Sequence, residues 1–343
     1  MTENEIALSG FLSGFATAYF ALQAYQLFRR QESSRLQKVV AVIFVQWALF
    51  NLKDFFFTIN DYRDQTVQDY LALIDGLSLI SYTSLIYELI RPRWATWGKV
   101  GLMLLPYIPF FIVYMLWPSN MLISGYLYCL TMVAIIIFLV WIRKAIKYKR
   151  YIRENYSNID EIDISWLRIV AWFFIACQLI WLVITIIRHP LTDCLYYALS
   201  IILWQITFEH ILYQKPITMD IRESAYSPEE KKYAFADRLE SVIKQDQPYL
   251  NPTLSLKELA ASLGTNRTYL SDYITHVLKT TFYDYINGMR IEKKSVPLMH
   301  EDSDYTLEFI ARESGFQSIS TFRRAFIKQK GTTPSEYRKQ IKE

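Results

Sequence analysis

VGLMLLPYIPFFIVYMLWPSNMLISGYLYCLTMVAIIIFLVWI, residues 100–142, contains no Asp, Glu, Lys or Arg. A helix needs about 20 apolar residues to cross the ~30 Å hydrocarbon layer of a bilayer, so this run is too long for one crossing and suits two. Leu116-Trp-Pro-Ser-Asn120 divides it, because Pro118 and the polar pair after it favour a turn. Val100–Trp117 and Met121–Ile142 therefore read as neighbouring spans. Outward from them, apolar runs of similar length fall at Ile6–Phe28, Val39–Ile59, Tyr70–Ile90, Ile169–Ile187 and Leu191–Tyr213. The fold class expected is all-α, with a seven-helix transmembrane bundle over residues 1–213.

Orientation follows from the basic residues, which collect on the cytoplasmic side of a membrane protein. With the N-terminus outside, 14 of the 17 Lys and Arg before residue 214 fall in cytoplasmic segments. Lys53, Arg63 and Arg188 fall outside. An odd number of spans then delivers residue 214 onward into the cytoplasm. The first apolar run lacks a basic leading segment and is longer than a signal core, so no cleavable signal peptide is expected.

Composition agrees with a chain of two textures. Of 343 residues, 52% are apolar and 20% charged, which excludes disordered and collagen-like classes. All nine Trp lie at or before Trp204, whereas the last 130 residues carry 20 Lys/Arg and 18 Asp/Glu. A net charge of +4 is too small to argue by itself for a nucleic-acid partner. Cys129, Cys177 and Cys194 are scattered, as are His189, His210, His276 and His300. No metal, thiol-redox or other cofactor is expected. No nucleophile–base pair or phosphate loop suggests an enzyme.

In the membrane half, Trp and Tyr near the span ends read as an aromatic belt. Asp54, Asp75, Glu88, Glu209 and His210 lie within or beside spans, where ionisable groups are expensive and default to a functional hypothesis. Lys53 and Asp54 read as a local pair. Asp75, five residues inside its span, is the candidate sensing residue. Ile142–Tyr156 reads as a basic cytoplasmic extension of the fifth span, resting on anionic lipid. The matched broken helices of a transporter are not seen.

Residues 214–226 form a polar linker. Ser227-Pro-Glu-Glu230 then starts a helix over 227–247, with Ser227 and Glu230 as a capping box. Two helix-turn-helix units follow within 248–343. In the first, a helix from Ser255 to Ser262 turns at Gly264-Thr-Asn266 into Arg267–Val277. In the second, Tyr305–Ser314 turns at Gly315-Phe-Gln317 into Ser318–Lys328. A glycine at the turn is what two helices crossing near 90–120° need.

These residues resemble the DNA-binding domain of the AraC/XylS family of transcription regulators. The likeness is carried by Leu259-Ala-Ala-Ser-Leu-Gly264, Tyr269-Leu-Ser271, Phe282-Tyr-Asp-Tyr-Ile-Asn287 and Arg290-Ile-Glu292. Further on, Ile310-Ala-Arg-Glu-Ser-Gly-Phe316, Phe322-Arg-Arg-Ala-Phe326, Gly331-Thr-Thr-Pro334 and Tyr337-Arg338 continue it. Several spans followed by such a domain are similar to membrane-embedded bacterial members. The resemblance implies two units joined by a linker helix and reading successive major-groove faces. Arg290 resembles a structural arginine of that helix.

A recognition helix reads base edges with its N-terminal side chains. The outward candidates are Arg267, Thr268, Ser271 and Asp272 in the first unit, and Ser318, Ser320, Thr321, Arg323 and Arg324 in the second. Lys328 and Lys330 are placed for phosphate. Asp272 departs from the family, which often carries a basic or amide residue there. Pro297 departs too, and is expected to kink or end the linker helix. The partners expected are promoter DNA, the lipid bilayer, an unidentified signal for the membrane half and, for such a regulator, RNA polymerase and a second copy of the chain. The rival reading is a membrane receptor or transporter whose helix-turn-helix domain binds a protein.

Overall fold

Thr2 opens the first helix with a capping box: its hydroxyl accepts from the Glu5 amide at 3.3 Å, and the Glu5 carboxylate accepts from the Thr2 amide at 2.8 Å. That helix begins a chain whose described residues form helices joined by turns and loops, with no strand among them. The structure is a computed structural model and describes residues 2–31, 33–61, 64–187, 189–214, 233–301 and 304–342. The linker from residue 215 on, the Ser227-Pro-Glu-Glu230 capping box, Arg63 and Arg188 lie outside the described residues. Contacts divide the chain into two units, Met1–Ile146 with Ile164–Thr218, and Lys147–Asp163 with Met219–Glu343. Residues 147–163, expected with the membrane half, thus group with the second unit.

The first unit contains α1 (Glu3–Arg29), α2 (Arg35–Asp61), α3 (Gln65–Asp75), α4 (Ser78–Ile90), α5 (Trp97–Leu104), α6 (Tyr107–Leu116), α7 (Asn120–Asn155) as far as Ile146, α8 (Leu167–Ile187) and α9 (Pro190–Tyr213). Among the described residues seven helical stretches are long and apolar enough to cross a membrane: α1, α2, α3 with α4, α5 with α6, α7, α8 and α9. Two of them are broken, at Gly76-Leu77 and at Leu105-Pro106. The Pro106 ring cannot donate a helical hydrogen bond, which accounts for the second break.

Packing in this unit inverts the pattern of a water-soluble bundle. Phe11, Phe15, Leu22, Trp172 and Leu179 are exposed, while Ser9, Ser13, Asn51, Ser81, Ser200 and Thr207 are buried. Small and hydroxylated residues let helices approach closely, and large apolar ones suit a hydrocarbon surround. Aromatic rings fill the centre: Trp47, Tyr82 and Trp204 lie within 5.4–5.9 Å of one another by ring centroid.

The ionisable groups singled out within or beside the spans have partners among the described residues. Lys53 pairs with Asp54, as read from sequence, and also with Asp75 at 2.8 Å. The candidate sensing residue is therefore one side of a three-member ion cluster. Glu88 accepts from Arg35 at 3.1 Å and from the amides of Arg93 and Ala95 at 2.9 and 2.8 Å. Asp69 is 2% exposed and accepts the Tyr114 hydroxyl at 2.6 Å. The third apolar run read from the sequence starts at Tyr70, whereas the helix starts at Gln65 and so includes Asp69. Glu209 accepts from Gln205 at 3.0 Å, and the His210 ring stacks on Trp166.

The second unit joins residues 147–163 to α10 (Ala236–Gln245), α11 (Leu256–Ser262), α12 (Arg267–Asp272), α13 (Phe282–Arg290), α14 (Val296–Glu301), α15 (Leu307–Glu313), α16 (Ile319–Lys330) and α17 (Pro334–Lys342). The expected helix over 227–247 is described from Ala236. Two apolar clusters organise these elements. One gathers Leu239, Val242 and Ile243 of α10 with Leu256, Leu259, Leu263, Leu270 and Ile274. The other gathers Ile310, Ala311, Phe316, Phe322 and Phe326.

Gly264 has φ +66° at the turn of the first helix-turn-helix, a left-handed conformation that glycine adopts without cost. A Cβ there would meet only the far end of Arg238, at 3.5 Å. Gly264→Ala should therefore lose about 1 kcal/mol of stability through backbone strain alone, read as a lower denaturant midpoint for this unit. An unchanged midpoint would deny the turn its strained geometry.

Candidate nucleic-acid interface

Local capping builds both helix-turn-helix units. Ser255 and Glu258 form a capping box at the head of α11, and Asn266 caps α12 by accepting the Tyr269 amide at 2.9 Å. A π turn over Tyr273–Val277 extends α12. Thr306 caps α15, and Ser318 caps α16 by accepting the Thr321 amide at 3.2 Å. Between the units, α13, a π turn over Ile291–Ser295 and α14 run on continuously. Pro297 does not end this linker helix, contrary to the expectation from the sequence. The π turn directly before it already breaks the regular hydrogen-bond register, and the helix continues to Glu301. Twenty residues at 1.5 Å each make a spacer of about 30 Å, close to the ~34 Å of one DNA turn.

Arg290 is the buried node of the unit, 1% exposed. Its guanidinium donates to Tyr249 O at 2.6 Å, Asn251 O at 2.7 Å, Asn287 Oδ1 at 2.9 Å and Ser157 Oγ at 3.2 Å. Burial works against its charge and pushes its pKa down to about 10. It holds elements together and is not placed to read a base.

The sequence-derived candidates divide in two. Thr268, Ser320, Arg323, Arg324 and Lys328 are exposed; Arg267, Ser271, Asp272 and Ser318 are half-buried. Thr321, expected to be open on the outward face, is covered instead, 2% exposed with its hydroxyl enclosed by the Asp160 carboxylate and Arg324. As third residue of α16 it folds back under Arg324, whose Nη2 donates to its hydroxyl at 2.9 Å. Asp272 accepts the Tyr233 hydroxyl and pairs with His276 at 3.0 Å, which ties it to its own domain.

Lys328 pairs with Asp284 at 2.8 Å, and Arg153 reaches the same carboxylate at 3.1 Å. Burial pushes the Asp284 carboxyl up, but hydrogen bonds from Lys328 and Thr281 and the charge of Arg153 outweigh it and hold it below the usual carboxylate range. Arg324 has Asp160 as its acidic partner, at 3.2 Å. Arg324 and Lys328 of α16 are thus each met by a carboxylate of the same unit.

Four residues of this arrangement escaped the sequence reading: Tyr151, Ser157, Asn158 and Asp160. The usable signal was the change of charge after Arg153, where the basic run gives way to Asn-Ile-Asp-Glu at 158–161. Asn158 Oδ1 accepts the Asp160 amide at 3.1 Å, the local turn such a sequence favours.

Residues 259–340 match the family described as a helix-turn-helix domain, and they are a helix-turn-helix domain of the AraC type. Among curated proteins, an uncharacterized HTH-type transcriptional regulator of Staphylococcus aureus (strain COL) is 31% identical over 102 residues, 30% of this chain and 13% of that protein. The similarly named protein of strain N315 has the same identity and coverage. The melibiose operon regulatory protein of Escherichia coli (strain K12) is 33% identical over 86 residues, 25% of this chain and 28% of that protein. The match therefore spans about an eighth of the staphylococcal relatives. No solved structure matches the chain.

Proposed function

We propose that the chain is a membrane-bound one-component transcription regulator. Its AraC-type domain binds promoter DNA in the bacterial cytoplasm, and its seven apolar helices sit in the inner membrane and receive a signal. The observation that carries this reading is the pair of capped helix-turn-helix units on one linker helix, the second presenting Arg323 and Arg324 outward. Guanidinium groups bond guanine edges and phosphates alike, so an exposed basic recognition helix suits DNA. Asp75, in its cluster with Lys53, is the proposed sensing residue of the membrane half. RNA polymerase and a second copy of the chain are the proposed protein partners.

The full chain in lipid nanodiscs, incubated with sheared genomic DNA, should retain a small set of sequences sharing one motif. Retention of DNA without any common motif would overturn the reading. Topology supplies a further expected result. Reporter fusions after Lys38, Lys99 and Lys149 should report cytoplasm, and those near Asp64, Asn120 and Pro190 the outer side, following the basic residues. An outer location for a fusion after Lys215 would remove the domain from DNA altogether.

A further inference from the structure

Polar groups of residues 147–163 meet the candidate DNA-facing residues of both helix-turn-helix units. The Asp160 carboxylate accepts from Ser318 Oγ at 2.6 Å, from Thr321 Oγ1, and from Arg324 Nη2 at 3.2 Å. Asn158 donates to Gln317, in the turn that leads into α16. On the first unit, Arg267 Nη1 approaches the Tyr151 hydroxyl at 3.5 Å.

Two hydroxyls and a guanidinium converging on one anion at the head of a twelve-residue helix form the donor set that helix N-termini offer to DNA phosphate. A carboxylate reproduces the charge and the acceptor oxygens of that phosphate. DNA and Asp160 cannot both occupy these donors.

The segment is anchored a few residues away. Ser157 is fully buried; its hydroxyl donates to Leu254 O at 2.7 Å, and its carbonyl accepts from Asn287 Nδ2 at 3.1 Å. Asp160, by contrast, sits on a partly open ion pair, with the Arg324 side chain 60% exposed. Exposed pairs of this kind are weak and screened by salt, so a polyanion can displace them. Residues 147–155 are also the last part of α7, whose earlier residues form the fifth apolar stretch. The backbone of α7 leads directly into Ser157 and Asp160.

We propose that residues 156–163 are an autoinhibitory latch in which Asp160 takes the place of a DNA phosphate on the second recognition helix. The latch competes with DNA for Ser318, Thr321 and Arg324, and movement of α7 sets how often it is open. This inference rests on the domain being a DNA binder.

The test uses the full chain in nanodiscs, with sonicated genomic DNA and any duplex recovered by capture as probes. Asp160→Asn and Asp160→Ala should each bind about tenfold more tightly than the parent chain, the worth of a charge-assisted contact. Binding by the variants but not by the parent would support the latch most strongly. Equal or weaker binding by both variants, with the parent binding normally, would overturn the latch and leave DNA binding intact. Failure of parent and variants alike to bind DNA would overturn the DNA-binding reading and the latch with it.

Discussion

Arg290→Met should destabilise the second unit by about 3–5 kcal/mol, because it leaves several buried acceptors without a donor. Methionine fills much of the volume but donates nothing to Tyr249 O, Asn251 O, Asn287 Oδ1 and Ser157 Oγ, which the guanidinium serves at 2.6–3.2 Å. Each acceptor left dry costs about 1–3 kcal/mol, so even partial rewetting leaves a large deficit. Hydrogen exchange on the full chain should register the loss at residues 249–257 and along α13, whose C-terminal end Arg290 ties to Tyr249 and Asn251. Unchanged protection there would mean that apolar packing alone holds these elements.

Arg324→Ala should lose roughly ten- to hundredfold in specific DNA affinity, or about 1–3 kcal/mol, concentrated at one base pair, if its guanidinium grips guanine O6 and N7. Because Arg324 also pairs with Asp160, the measurement belongs in an Asp160→Asn background, where the latch no longer masks it. Lys328→Ala should instead weaken all sequences alike and lower the salt slope by about one, as for a phosphate contact. Arg324→Ala that loses equally on specific and scrambled duplexes would reassign Arg324 to phosphate.

How much was legible in the sequence follows from the kind of signal each feature leaves. A crossing helix writes itself as some twenty apolar residues, so the seven stretches fell where the hydropathy put them, near Ile6–Phe28 through Leu191–Tyr213. Helix-turn-helix units write a cap, a spacing and a turn glycine, and Ser255, Gly264, Thr306 and Gly315 mark them in the structure. Side-chain direction was less legible. Thr321 falls on the outward face by periodicity, yet a carboxylate some 160 positions away covers its hydroxyl. Pro297 reads as a break because local propensity knows nothing of a π turn next to it. Asp160 and Ser157 were invisible for the same reason: polar residues in a loop look alike until the fold supplies their partners. Asp75 was legible as an anomaly, but only the structure joins it to Lys53 as well as Asp54.

The central claim is that two helix-turn-helix units on one chain read successive faces of DNA. Hydroxyl-radical footprinting of the Asp160→Asn chain, in nanodiscs, on a duplex recovered by genomic capture tests it most directly. A linker helix of about 30 Å sets the units near one helical turn apart, so two protected windows centred about 10 base pairs apart on one face of the duplex are expected. A single window, or uniform protection without any window, would contradict it.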